Sequence, residues 1–327
     1  MSGFGVTGWG MSVPETVVTS AELAERFGVD EHWIVSRCGI RERRAVGEGQ
    51  TTASMAVEAG RRALERAGLS GADIAHLIVA TATPEQPSPA TSAFVHDALG
   101  VAGSAHDVNS ECAGFVYALV SAIALMRMDP RPVLVVGSDT HTLTANPADR
   151  DLSILVGDGA GAVVLEPGPV ERLLAWNLGA DGSCKDSLKV LAGGSRMPTT
   201  AQTVERGLHY AQINGNEIYL NAVRYTVRTI RETLEQAKLE AHQVDHVVPH
   251  QANIRIINSV LAHTGIPSQR LVTNLERYGN TASGSIPIAL SEALDAGRIR
   301  EGEKVLLAGF GAGMTWGSVL LEWGGVR

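Results

Sequence analysis

Three residues carry side chains suited to acyl chemistry: Cys112, His250 and Asn280. Cys112 stands between a short β-type run, AHDVNS (105–110), and an apolar helical run, CAGFVYALVSAIALM (112–126). A thiol at a helix N-terminus feels the positive end of the dipole and the free N–H groups of the first turn, which favour thiolate. A small buried hydrophobe is the other reading of the same position. His250 follows VVP (247–249), at the C-terminal edge of a strand where the sites of α/β sheets collect. Asn280 lies in RYGNTASGS (277–285), whose glycines and small residues let backbone approach a ligand. A Cys, a His and an Asn brought together would serve as nucleophile, base and amide donor. Cys38 and Cys184 have no comparable setting. Without a C-x-x-C pair the three cysteines form neither a zinc site nor a disulfide framework, so no metal is expected and a reducing cytoplasm is the expected compartment.

The segments around these residues alternate between β-type and amphipathic runs, which predicts an α/β fold with parallel strands. In the first half, strands are expected at 76–83, 105–110, 132–139 and 161–167, with helices at 91–100 and 112–126. The second half repeats the order: strands at 245–253, 270–274, 304–313 and 317–323, helices at 254–265 and 285–297. A repeat this long signals a duplicated domain, with halves 1–168 and 169–327 facing each other across the site. In that register Cys112 and Asn280 occupy matching loops. The stretch 179–198 is the one long loop-like excursion, read as a lid or dimer element. GDGAGA (157–162) and GFGAG (309–313) lack the G-x-G-x-x-G and G-K-[ST] patterns of nucleotide loops. Both are read as tight β-connections, the second able to aim an N–H at a developing oxyanion.

Composition narrows the field. The 327 residues are 44% hydrophobic and 19% charged, which excludes disordered, collagenous and coiled-coil classes. A net charge of −8 argues against nucleic-acid binding. The N-terminus lacks a basic segment followed by an apolar one, and the longest apolar stretch, 113–126, is too short for a bilayer, so no membrane partner is expected.

Taken together, EHWIVSRCGIRER (31–43), DVNSECAGFVYAL (107–119), VVGSD (135–139), DR (149–150), GDGAGAVVL (157–165), VPHQANIRII (248–257), YGNTASGSIPIAL (278–290) and GFGAGMTWGS (309–318) resemble the β-ketoacyl-acyl-carrier-protein synthase III enzymes of the thiolase superfamily, over essentially the whole chain. The resemblance implies a five-layered α/β/α/β/α fold and a homodimer. It implies that Cys112 accepts an acyl group from an acyl-coenzyme A or carrier-protein thioester. His250 and Asn280 would then serve decarboxylative Claisen condensation with a malonyl thioester, in fatty-acid or polyketide initiation, with no cofactor beyond the coenzyme A thioesters. It assigns Trp33, Arg37, Arg150 and Asn253 to coenzyme A, the N–H groups of Cys112 and Ala312 to the oxyanion hole, and Arg255 to carrier-protein docking.

Departures from the family pattern concern the substrate. Glu111 replaces a small residue before the nucleophile, where it would raise the thiol pKa or act on an acceptor, or else point to solvent. His141 stands where an apolar acyl-pocket residue is usual, and Ser88 near a bulky pocket cap, which suggests a roomier, more polar acyl site. Leu220, Ala262 and His263 replace lysines of the docking face, leaving a thin basic patch beside the helical stripe Arg224, Arg228 and Arg231. Two further functions stay open: an acyltransferase passing the Cys112-bound group to an alcohol or amine, and a non-catalytic partner of a heterodimeric synthase.

Overall fold

A computed structural model describes residues 3–326. The nine strands of its two main sheets are numbered here in chain order. β1 (Gly3–Ser12), β2 (His76–Ala80), β3 (Ser104–Val108), β4 (Val133–Thr140) and β5 (Asp158–Gly168) form one sheet in the order β1-β5-β4-β2-β3. β6 (Leu173–Ala180), β7 (His246–Pro249), β8 (Lys304–Gly311) and β9 (Thr315–Glu322) form the other in the order β7-β8-β9-β6. Pairing is parallel for β2 with β3 and β4 and for β7 with β8; the rest is antiparallel. The second sheet therefore repeats the first, β6 matching β1 and β9 matching β5.

The fifth position differs. The strand expected at 270–274 is reduced to one bridge between Val247 and Leu271. A 3-10 turn at Ser268–Arg270 and a short helix from Leu275 leave too few extended residues for a ladder. GDGAGA is also not a connection, because all but its first glycine lie inside β5. Its glycines accommodate close packing instead: a Cβ at Gly157 would sit 2.1 Å from the Tyr278 carbonyl, and one at Gly161 2.6 Å from the Pro287 carbonyl carbon. β1 runs through the glycine-rich N-terminus, which carries no strand pattern. Gly8 and Gly10 there let the helix Thr52–Ala67 lie against the strand, a Cβ at Gly8 falling 2.1 Å from the Ala63 carbonyl.

Two helices fill the space between the sheets, Gly114–Met128 and Ser285–Asp295. Phe115, Leu119, Ile286 and Leu290 pack against Ile78 and Val135 of one sheet and Val248 and Leu307 of the other. Thr52–Ala67 covers the outer face of the first sheet, and Gly215–Ala237 with Ile254–Thr264 that of the second. This is the five-layered α/β/α/β/α architecture. Capping residues set the outer helices: Thr51 with a capping box and Gly68 bound the first, while Asn253 and Gly265 bound Ile254–Thr264. The helical stretch Glu111–Met128 is long and apolar enough to cross a membrane by length and composition. Its apolar sides are taken up by both sheets, which makes it a core helix. The 179–198 excursion holds a 3-10 turn and a strand, Leu188–Val190, paired with Ala211–Ile213.

Phe115 is wholly buried between the sheets. Phe115→Ala is expected to cost about 3–5 kcal/mol, read from urea unfolding, whereas Met128→Ala, on a side chain 83% exposed, should leave the midpoint unchanged.

Candidate active site

The nucleophile turn is built by three neighbours. After β3 the chain turns at Glu111, whose φ of 51° lies in the left-handed region, and enters a 3-10 turn that continues into the central helix. The Asn109 Oδ1 accepts from the Glu111 N–H at 3.2 Å, and the Ser283 hydroxyl donates to the Glu111 carbonyl at 3.0 Å. Behind the turn, Gly311 at the end of β8 has room for nothing larger, since a Cβ there would lie 2.8 Å from the Cys112 nitrogen. The opposing half mirrors this. Ala282, with φ 44°, opens the 3-10 turn before Ser285–Asp295.

His250 leaves β7 with its N–H bonded to the Ala308 carbonyl at 2.8 Å. Its Nδ1 is 2.7 Å from the Ser285 Oγ, which also accepts from the Gln251 N–H at 3.3 Å. The Ser285 hydroxyl proton has no other acceptor among the described residues, so it points to Nδ1, and Nε2 carries the ring proton. Nε2 is buried without a hydrogen-bond partner among the described residues. Burial, then the nearby His141, pushes the imidazole pKa down to about 3, so the ring is neutral. The Asn280 Oδ1 accepts from the Ala282 N–H at 2.9 Å, which leaves its amide N–H groups as donors. Its backbone is pinned by Leu155 and Gly157.

Cys112, His250 and Asn280 line one cavity of about 360 Å³, together with His141, Phe310 and Ala312. Arg37, Asn253 and Arg255 line it as well. Trp33 lies outside the lining, half-buried, with the Arg37 and Arg150 guanidiniums 4.5 and 4.8 Å from its ring centroid. Arg150 pairs with Asp151, a lining residue, at 2.8 Å. Cys38 and Cys184 are buried elsewhere, and no group of three or more metal-ligating side chains occurs among the described residues.

Glu111 does not line this cavity. Burial, then the charge of Asp139, pushes its carboxyl up to about 7. The thiol of Cys112 is also raised, by burial first and then by Glu111 and Asp139. The expectation of a thiol favoured as thiolate is thus corrected: a dry setting with two carboxyl groups outweighs the roughly half-charge of a helix end. Asp139 and Ser285 were not singled out from the sequence. Asp139 is fully buried, its Oδ1 accepting from Thr81, Ala82 and Thr83 and its Oδ2 from the Ser283 N–H at 2.8 Å. The only sequence signal for either was membership in the VVGSD and GNTASGS strings.

This arrangement, two sheets enclosing two helices, with a buried cysteine and an asparagine at the helix-leading turns and a buried histidine at a strand end, defines a thiolase-fold condensing enzyme. Two family models match the chain: 3-oxoacyl-(acyl-carrier-protein) synthase III at residues 106–182 and its C-terminal domain at residues 234–323. A β-ketoacyl-(acyl-carrier-protein) synthase III of Roseiflexus sp. (strain RS-1) is 44% identical over 97% of this chain and 98% of its own. The acetoacetyl-CoA synthase NphT7 of Streptomyces sp. (strain CL190) is 40% identical over 98% of each. Among solved structures, the synthase III of Aquifex aeolicus VF5 superposes with TM-score 0.90 at 34% identity, covering 98% of this chain and 100% of that one. The chain belongs to the 3-oxoacyl-(acyl-carrier-protein) synthase III family, enzymes that transfer an acyl group and condense it.

Two outcomes check the electrostatics. In ¹⁵N-histidine NMR, His250 should hold the Nε2–H tautomer without titrating between about pH 5 and 8, and Ser285→Ala should mix the tautomers. Glu111 ionises as pH rises through about 7, and its charge then opposes the Cys112 thiolate. Iodoacetamide should therefore alkylate Cys112 at equal rates in wild type and Glu111→Gln below pH 7, and faster in the variant above it.

Proposed function

We propose that Cys112 takes an acyl group from an acyl-coenzyme A and that the acyl-enzyme condenses with a malonyl thioester, starting a fatty-acid or polyketide chain. The observation that carries this reading is the convergence of Cys112, His250 and Asn280 on one cavity, with the His250 Nε2 and the Asn280 amide unengaged by other side chains. In the first step the sulfur attacks the thioester carbonyl and coenzyme A leaves, taking the thiol proton. The N–H groups of Cys112 and Ala312, both on the cavity wall, would hold the oxyanion. In the second step the C–C bond to the malonyl carboxylate breaks and carbon dioxide departs. The electron pair passes into the thioester carbonyl, where His250 and Asn280 donate hydrogen bonds to the enolate oxygen. The enolate carbon then attacks the acyl carbonyl, and the Cys112 thiolate is expelled. No metal or redox cofactor takes part.

Trp33 with Arg37 and Arg150 suits the adenine and phosphates of coenzyme A, and Asn253 the pantetheine arm. The exposed Arg255 and Arg224 supply the cationic side of a carrier-protein face, but Arg228 is paired with Glu232 and Leu220 is 68% exposed. This thin cationic face is compatible with malonyl-coenzyme A as well as with a malonyl carrier protein. β3 is bonded on one side only, and pairing of that open edge with a second copy favours a homodimer, expected at twice 34.5 kDa in light scattering. Three free cysteines support a reducing, cytoplasmic compartment. Transfer to an alcohol or amine loses its main support, since Glu111 is off the cavity wall.

Intact-protein mass analysis with acyl-coenzyme A thioesters tests this. Wild type should carry one acyl group, lost in Cys112→Ala. Asn280→Ala should still load but release carbon dioxide from malonyl thioesters about 10²–10³-fold more slowly. An adduct on Cys38 or Cys184, or a wild type that loads but never decarboxylates, would overturn the reading.

A further inference from the structure

His141 is the buried polar residue of the cavity for which the reaction has no use. Of the other polar lining side chains, Arg37, Asp151, Asn216 and Arg255 are exposed, the half-buried Tyr219 hydroxyl is held by Ser259, the half-buried Asn253 is given to the pantetheine arm, and Cys112, His250 and Asn280 are taken up by the chemistry. His141 is only 7% exposed. Leu152, Leu155, Val156, Leu188 and Ile213, which line the same cavity, are aliphatic. The ring is oriented by one contact, Nδ1 to the Asn280 carbonyl oxygen at 3.4 Å. A carbonyl only accepts, so Nδ1 holds the proton and Nε2 presents a lone pair. No partner for Nε2 exists among the described residues, and the ring borders the cavity.

A purely alkyl acyl chain filling this space would strip water from Nε2 and return nothing, the costly case for a buried acceptor. A chain carrying a donor would replace that water. We propose that the acyl group accepted by Cys112 bears a hydroxyl, and that the His141 Nε2 accepts its hydrogen bond. The proposal deepens the reading above and rests on Cys112 as the acyl acceptor. It makes His141 a specificity-determining residue: an acceptor that the condensation leaves free selects a hydroxyacyl chain over its deoxy counterpart.

The test is single-turnover loading of Cys112, followed by intact mass, with butyryl-, 3-hydroxybutyryl- and 4-hydroxybutyryl-coenzyme A. In wild type at least one hydroxylated thioester should load about tenfold or more faster than butyryl. His141→Leu should abolish that advantage and load butyryl at least as fast as wild type. His141→Gln, which keeps a polar side chain, should retain part of the preference and serves where the leucine variant does not fold. Equal loading of butyryl and both hydroxylated thioesters by wild type, or an advantage that survives in His141→Leu, would overturn this inference and leave the condensing reading intact. Failure of all three thioesters and of acetyl-coenzyme A to load would count against the acyl-acceptor reading itself.

Discussion

The site depends on one contact between the halves, the meeting of the two helix-leading turns. Each turn opens on a non-glycine residue with positive φ, Glu111 at 51° and Ala282 at 44°. Such a backbone costs about 1–2 kcal/mol per residue, so surrounding structure must hold it. The Ser283 hydroxyl ties one turn to the other, and a Cβ at Gly137 would fall 2.3 Å from the Ser283 carbonyl. With both turns pressed together, Cys112 and Asn280 border the same space, and the edge of β7 delivers His250 to it.

Asp139 locks this junction. Its carboxylate gathers the turn after β2 through Oδ1 and the Ser283 backbone through Oδ2, so one buried charge fixes both halves. Burial raises both the Cys112 thiol and the Glu111 carboxyl, and the Asp139 charge adds to each. The neutral His250 belongs to the same dry setting, where burial disfavours the charged ring and leaves one nitrogen as a hydrogen-bond donor.

Charge and polarity also separate the two ends of the cavity. Arg37 and Arg255 line the cavity at exposed positions. Toward Cys112 the lining includes the aliphatic Leu152, Leu155 and Val156, the aromatic Phe310 and the buried rings of His141 and His250. An acidic chain with so few free cations on the helix Gly215–Ala237 has little means of steering an acidic partner over distance.

The sequence by itself determined the duplicated α/β order, the place of the central helices and the identities of Cys112, His250 and Asn280. Hydrophobic periodicity and the helix-bounding glycines are local properties, and the motif strings are contiguous. The glycine-rich β1 was hidden because its residues are chosen for close contact with Thr52–Ala67, a partner some fifty positions away, and not for strand propensity. The fifth strand of the second sheet was overstated because RLVTN has β-type residues but a turn on one side and a helix on the other. Only the tertiary structure decided the sign of the field at Cys112, the tautomer set by Ser285 and the exclusion of Glu111 from the cavity. Each depends on which groups from distant segments share a space closed to water, and a buried charge acts on whatever is near in space, whatever its distance along the chain.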